Sequence, residues 1–338
     1  MGVFVSVGCS DRHYFDWLDK AFRPSERHLA LEAYREKPSQ LPANVEWIAN
    51  TAGNMAAVAR ESADAVFAGQ VVEHLWAEEL AGFFMEASRV LKPGGLLIVD
   101  SPNEKTVHDL GWNHPEHTLE FRPADAVRLF ELAGFRVTKA VGHWLCRSAD
   151  GGLLPLEEID PAERERRIRD GRKRLDDAFS WWLEGVKEAP ADAAAIARFV
   201  AELWARYGGR RVQRTMRSQR PLDAAQLING VPLAAGPRGW TGALVYGPYI
   251  PLPPGRTLVG FTLEPYDAKV SPGRIEVFQL MGNQVMASAP LPPRLPERGT
   301  IWLEVELDAT LFGMEFRLWT NGTAEIRARV GVELARLP

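Results

Sequence analysis

Cysteine is scarce in this chain: Cys9 and Cys146 are the only two in 338 residues. Two cysteines cannot build the disulfide framework of a small secreted domain, so a reducing, cytoplasmic setting is expected. No run of eighteen apolar residues occurs, which leaves no candidate transmembrane helix. The opening Met1-Gly2-Val3-Phe4-Val5 has no basic stretch before its apolar residues and does not read as a signal peptide. The sequon at Asn321-Gly322-Thr323 therefore carries no expectation of glycosylation. Charge of one sign is also lacking. The net charge is -4, which gives no global attraction to nucleic acid or an acidic membrane surface. Short repeats and low-complexity tracts are absent. With 46% hydrophobic and 25% charged residues, collagen-like and disordered readings fail and packed cores are expected. The length suits two or three domains.

Three textures follow one another. Up to about Ala149, short aliphatic runs alternate with helical patterns. Val3–Val7, His28–Glu32, Val45–Ala49, Ala63–Ala68, Leu96–Asp100 and Phe135–Thr138 read as strands, and His13–Phe22, Ala77–Leu91 and Ala124–Ala133 as helices. Lys92-Pro93-Gly94-Gly95 should stop the long helix, because proline breaks the ladder and glycine takes a left-handed cap cheaply. Alternating strands and helices predict a parallel sheet covered on both faces. From about Glu157 to Arg220 the chain is highly charged. Ile168, Leu175, Phe179, Trp182 and Val186 fit one helix face, and Asp192 can cap a second helix carrying Ile196, Val200, Leu203 and Tyr207. An amphipathic helical pair is expected there. After Leu222, turn signals such as Pro253-Pro254-Gly255, Ser271-Pro272-Gly273 and Asn321-Gly322 separate runs of period two, which predicts an antiparallel β-sandwich.

The stretch Ala63–Gly142 resembles the second half of class I S-adenosylmethionine-dependent methyltransferases. Asp64–His74 is similar to the family's fourth strand and the Glu-His step after it. Ser88-Arg89-Val90-Leu91-Lys92-Pro93-Gly94-Gly95 is similar to the turn before strand five, and Ala133-Gly134-Phe135 to the start of the next strand. The resemblance implies an α/β Rossmann-like methyltransferase domain, followed here by a helical segment and an all-β antiparallel sandwich. It also implies S-adenosylmethionine as cofactor, near Gly8, Ser10, Glu32, Asn50, Thr51 and Gly69. Gly8 matches the first glycine of the family's turn after strand one, and Glu32 its ribose-binding carboxylate. The cofactor half departs from the pattern elsewhere. Ser10 and Arg12 stand where further glycines are usual, Ser6 replaces a frequent acid, Asn50 and Thr51 are uncharged, and no helix precedes strand one. A working but unusual site and a decayed one both remain open.

Methyl transfer to a hydroxyl needs an aligned acceptor and a group that takes its proton. Histidine suits that task near neutral pH. The run Asn113-His114-Pro115-Glu116-His117-Thr118-Leu119-Glu120 falls after strand five, where the family's acceptor site opens. His117 and then His114 are the candidate bases, with Glu120 orienting one of them and His74 as a further candidate. His114, His117, Glu120 and either Asp100 or Glu73 are also of metal-ligating type. Their spacing matches no closed metal motif, so a divalent metal is possible but not favoured. Arg210, Arg211, Arg214, Arg217 and Arg220 would share a face on a helix and could hold an anion.

The C-terminal region resembles carbohydrate-binding-like sandwich modules of bacterial glycan-modifying enzymes, through Tyr246–Arg256 and Met314–Leu318. Trp240, Tyr249, Arg256 and Arg317 are the candidate sugar contacts. The expected organisation is a methyltransferase-like domain over 1–149, a helical connector over 150–221 that spaces or oligomerises the chain, and the sandwich over 222–338. The expected function is O-methylation of a sugar or glycan in bacterial surface polysaccharide or glycoconjugate assembly. A non-catalytic glycan-binding or assembly protein and a small-molecule methyltransferase are the alternatives.

Overall fold

The structure is a computed structural model that describes residues 2–9, 12–33, 35–112, 114, 116–156, 159–207, 212–228 and 231–337. The chain divides into two compact units, Met1–Gly209 and Arg210–Pro338.

The first unit is built on strands β1 (Val3–Val7), β2 (Arg27–Glu32), β3 (Val45–Ala49), β4 (Ala63–Gly69), β5 (Leu91–Pro102), β6 (Phe135–Leu145) and β7 (Ala178–Lys187). They form one sheet in the order β3-β2-β1-β4-β5-β7-β6. β7 runs antiparallel to both its neighbours, and the pairings among β1 to β5 are parallel. Central strands buried on two faces are mostly apolar, and β1 and β4 are so apart from Ser6 and Asp64. The helices are α1 (Arg12–Phe22), α2 (Ala77–Val90), α3 (Glu104–Asp109), α4 (Pro123–Leu132), α5 (Pro161–Gly171) and α6 (Ala193–Tyr207). On one face, Phe83 and Phe84 of α2, Leu129 and Phe130 of α4 and Ile196, Val200 and Leu203 of α6 join strand residues in the larger core. On the other face, Leu18 of α1 packs with Phe4, Phe67 and Ile98.

The helix-covered sheet expected at the N-terminus is present, parallel among β1 to β5 but mixed as a whole because β7 is antiparallel. The stop of α2 takes another form. The chain enters β5 directly at Leu91, which pairs with Ala63, and Lys92–Gly95 is taken up as a register shift before Ala65 meets Leu96. Gly94 sits there at φ 77°.

The middle region departs from the expected helical pair. Ile168 lies on α5, but Phe179, Trp182 and Val186 lie on β7. The sheet has a slot between β5 and β6, and Ala178–Lys187 fills it with ladders on both sides. Its aromatic residues gain more from that pleated, two-sided burial than from an exposed helix, and the tertiary setting overrides a chance match to helical spacing. α6 does form, with Asp192 Oδ1 accepting from the Ala195 N–H at 3.0 Å, and its apolar stripe is buried in the larger core. The apolar face of α6 is thus covered within the first unit, while Ile168 of α5 is exposed.

The second unit is all β. Its strands are β8 (Val212–Thr215), β9 (Arg217–Ser218), β10 (Leu222–Ile228), β11 (Val231–Gly236), β12 (Thr241–Leu252), β13 (Gly255–Leu263), β14 (Tyr266–Asp267), β15 (Gly273–Gln279), β16 (Gln284–Pro290), β17 (Arg294–Leu295), β18 (Gly299–Leu307), β19 (Leu311–Asn321) and β20 (Ile326–Arg336). One antiparallel sheet runs β10-β11-β20-β13-β18, with β8 also on β20, and another runs β16-β15-β19-β12-β9. Among the described residues the arginine run is not helical. Arg214 sits on β8 opposite Val332, and Arg217 on β9 opposite Tyr246, so the run feeds two different sheets. Arg210 and Arg211 lie outside the described residues. No described helix is long and apolar enough to cross a membrane.

Candidate active site

In an open parallel sheet, ligands sit at the carboxyl ends of the strands, where the strand order reverses. Here that point lies between β1 and β4, and the residues there are the ones that the sequence singled out. Gly8 follows β1 at φ 70°, a conformation glycine adopts without strain, and its N–H donates to Leu31 O at 3.1 Å. A Cβ at Gly8 would stand 2.3 Å from Val71 Cγ2, so the glycine also admits the chain that leaves β4. Glu32 ends β2; it is buried, and its Oε1 accepts from the Arg35 N–H at 3.0 Å. Asn50 and Thr51 follow β3, and Asn50 Oδ1 accepts from the Thr51 N–H at 2.9 Å. Gly69 ends β4 opposite Asp100 of β5. Ser10 lies outside the described residues.

Ser6 fills the position where an acid was expected, and it has a local task. Its hydroxyl lies 2.6 Å from His28 Nε2 and 3.0 Å from Cys9 Sγ, all in the interior. Burial holds His28 down at about 4, so its ring is neutral. Burial likewise pushes the Cys9 thiol up to about 12, which makes it an inert core residue.

A second group of side chains stands on the same strand edge, past β4 and β5. Glu73 and His74 belong to a short 3-10 turn, Val72–His74, that follows β4. The segment after α3 folds onto this turn: the N–H groups of Thr118 and Leu119 both donate to Glu73 O, at 2.7 and 3.2 Å. That anchorage brings His117 beside His74, with ring centroids 4.7 Å apart at 87°. His117 Nδ1 lies 2.7 Å from Glu120 Oε1, and both residues are almost wholly buried. The geometry therefore joins Glu120 to His117. His114 is placed differently: its ring stacks on that of His117 at 4.3 Å, and its Nδ1 accepts from the Glu116 N–H at 3.3 Å. The Trp112 ring packs 5.5 Å from His117 and closes one side.

Sequence reasoning gave Glu73 no more than an optional place. It is fully buried, and Ser101 Oγ donates to its Oε2 at 2.9 Å. Burial, with the Asp100 and Glu120 charges nearby, pushes its carboxyl up to about 8. Asp100 is also raised, to about 6, by burial, against the pull of the Gln70 side chain that donates to it at 2.6 Å. The Glu-His step marked this turn in sequence, but nothing in sequence showed that a loop forty residues on would roof it.

In the second unit, two of the four candidate sugar contacts meet. On the sheet containing β12, β15 and β19, Ile275, Val277, Leu318, Phe316 and Val245 are buried together by register. The alternate residues Glu276, Arg317 and Tyr246 share the other face. There Arg317 Nε donates to Glu315 at 2.8 Å, its guanidinium stacks 3.6 Å over the Phe278 ring, and Tyr249 Oη donates to Glu315 at 3.2 Å. Arg256 is not with them. It lies on β13, in the other sheet, paired with Glu304 at 2.6 Å. Trp240 follows β11 and carries Arg220 over its ring at 5.7 Å.

The comparisons with known proteins bear on the first unit. Residues 5–99 match a family model described as a methyltransferase domain. A probable S-adenosylmethionine-dependent methyltransferase of Mycolicibacterium smegmatis is 41% identical over 143 residues, 41% of this chain and 53% of that protein. A protein of Mycobacterium tuberculosis with the same description is 42% identical over 77 residues, 22% of this chain and 27% of its own length. The chain thus spans about half, or less, of the curated relatives it matches. Among solved structures, a SAM-dependent methyltransferase from Archaeoglobus fulgidus aligns with a TM-score of 0.41 at 18% identity, over 55% of this chain and 86% of that one. The family match and the relatives agree with the strand order around them: residues 5–99 carry a methyltransferase domain of the S-adenosylmethionine-dependent kind.

Proposed function

We propose that this chain methylates a hydroxyl of a sugar or glycan in the cytoplasm, using S-adenosylmethionine. The observation that carries the reading is the buried His117–Glu120 pair on the same strand edge as Gly8 and Glu32. The residues at that edge fit the cofactor. Glu32 offers a buried carboxylate at the end of β2, suited to two ribose hydroxyls, and Gly8 keeps the adjacent backbone bare of side chain. When bound, the cofactor supplies an electrophilic methyl carbon. His117 takes the acceptor's proton, Glu120 holds the imidazole in one orientation, and Trp112 excludes water from that side.

The sugar reading rests on the second unit. Arg317, Glu315 and Tyr249 put a fixed polar pair beside a half-buried tyrosine ring, a combination suited to sugar hydroxyls and a C–H face. Holding a glycan there raises its effective concentration at the transfer site without new chemistry. Place the chain in surface polysaccharide or glycoconjugate assembly, and both units have a task.

Calorimetry of the intact chain with S-adenosylhomocysteine tests the first half. Saturable binding supports an enzyme; none at millimolar ligand points to a relic that only binds or assembles. Comparing Arg317→Ala with the unaltered chain on short and long acceptors tests the second half. A selective loss on long acceptors supports glycan holding. Equal rates on both, with free sugars methylated as well as polymers, favour a small-molecule acceptor.

A further inference from the structure

We propose that Glu73, His74 and His117 form a binding site for one divalent first-row transition ion. The three offer ligand atoms that all lie within 4.8 Å of one another, and Glu73 and His117 are buried.

Tautomer and orientation agree with such a site. His74 Nδ1 lies 3.1 Å from Glu116 O, and His117 Nδ1 lies 2.7 Å from Glu120 Oε1. An Nδ1 that faces an oxygen donates its proton to it, so in the neutral ring Nε2 is the ligating nitrogen. Metal-binding histidines are held in this way by a carbonyl or carboxylate on the far nitrogen. Glu73 has the matching arrangement. One oxygen accepts from Ser101 Oγ at 2.9 Å, while Oε1 is buried without a hydrogen-bond partner. A buried carboxylate oxygen left bare is costly, and a cation beside it offsets that cost.

The donor set selects the ion. Two imidazoles and one carboxylate suit Zn2+, Fe2+, Mn2+ or Co2+ better than Mg2+ or Ca2+, which prefer oxygen donors. Three protein ligands leave positions open for an oxygen of the acceptor, as catalytic rather than structural sites do. This inference rests on the reading that the cluster serves the acceptor. With an ion present His117 would be a ligand instead of the base; the ion would lower the pKa of the acceptor hydroxyl, and the released proton would pass to solvent water.

The intact chain, stripped with chelator and dialysed, is titrated with Co2+ and followed by visible absorption. One equivalent should bind and develop ligand-field bands. Glu73→Gln and His117→Ala should each weaken binding by tenfold to a hundredfold or more, on the scale of losing a ligand. His74 is only half-buried, so His74→Ala reads the same loss if the core variants do not fold. Absence of saturable binding up to millimolar Co2+ overturns the proposal, as does unchanged affinity in His74→Ala. Full methyl transfer by the stripped chain overturns the ion's part in the reaction. A chain that binds S-adenosylhomocysteine but no Co2+ loses this inference alone; one that binds Co2+ but no S-adenosylhomocysteine loses the reading beneath it.

Discussion

His117 and Glu120 face each other across 2.7 Å in the interior of the first unit, three residues apart on a segment without regular structure. Nothing local forces them together. The segment is held by Thr118, whose hydroxyl and N–H both donate to the Glu73 carbonyl, at 3.0 and 2.7 Å. The pair is thus a product of the loop's anchorage to the turn after β4. His117→Ala should lower turnover by about a hundredfold or more while leaving S-adenosylhomocysteine affinity nearly unchanged. Steady-state kinetics beside calorimetry check this, and equal loss in both would mean that His117 only supports the fold.

Glu32 should matter to the cofactor alone. Its carboxylate ends β2 with one oxygen on the Arg35 N–H. Glu32→Ala should weaken S-adenosylhomocysteine binding by about 1–3 kcal/mol, the value of lost charged hydrogen bonds. The midpoint of thermal unfolding without ligand should move much less than the midpoint with it.

His28 should make the first unit acid-sensitive. Its folded pKa is about 4 against an ordinary 6.5, because burial disfavours the charged ring. The folded state binds fewer protons than the unfolded one in that window. Its contribution is complete above pH 6.5 and is lost as pH falls toward about 4. The loss is on the order of 3 kcal/mol across the window. Urea unfolding from pH 7 down to pH 4 should show a steeper fall for the unaltered chain than for His28→Gln.

Trp181 should be the costliest truncation in β7. It is fully buried, and its indole N–H donates to Phe121 O at 3.3 Å. Trp181→Ala should destabilise the chain by about 3–5 kcal/mol through the cavity it leaves. Chemical denaturation measures it; a change below 1 kcal/mol would mean that β7 is not a central strand of the sheet.

Local chemistry was enough to find much of the first unit. Continuous apolar runs such as Leu96–Val99 have few options besides a buried strand, and Asp192 marks the start of α6 by its own side chain. The order of such segments also located the strand ends where Gly8, Glu32 and Gly69 stand. β7 was not legible. The spacing of Phe179, Trp182 and Val186 suits a helix, and only the vacancy between β5 and β6 makes a strand of them. The arginine run behaved likewise: Arg214 and Arg217 are parted by the two sheets that claim them, not by anything in their spacing. The sequence by itself determined which segments bury apolar faces and which residue types line one edge of the sheet, because hydrophobic pattern and turn chemistry act over a few residues. Which side chains meet was decided by tertiary structure alone. Glu73 and His117 are 44 positions apart by their numbering, and only the packing of the loop onto the turn brings them within reach of one ligand.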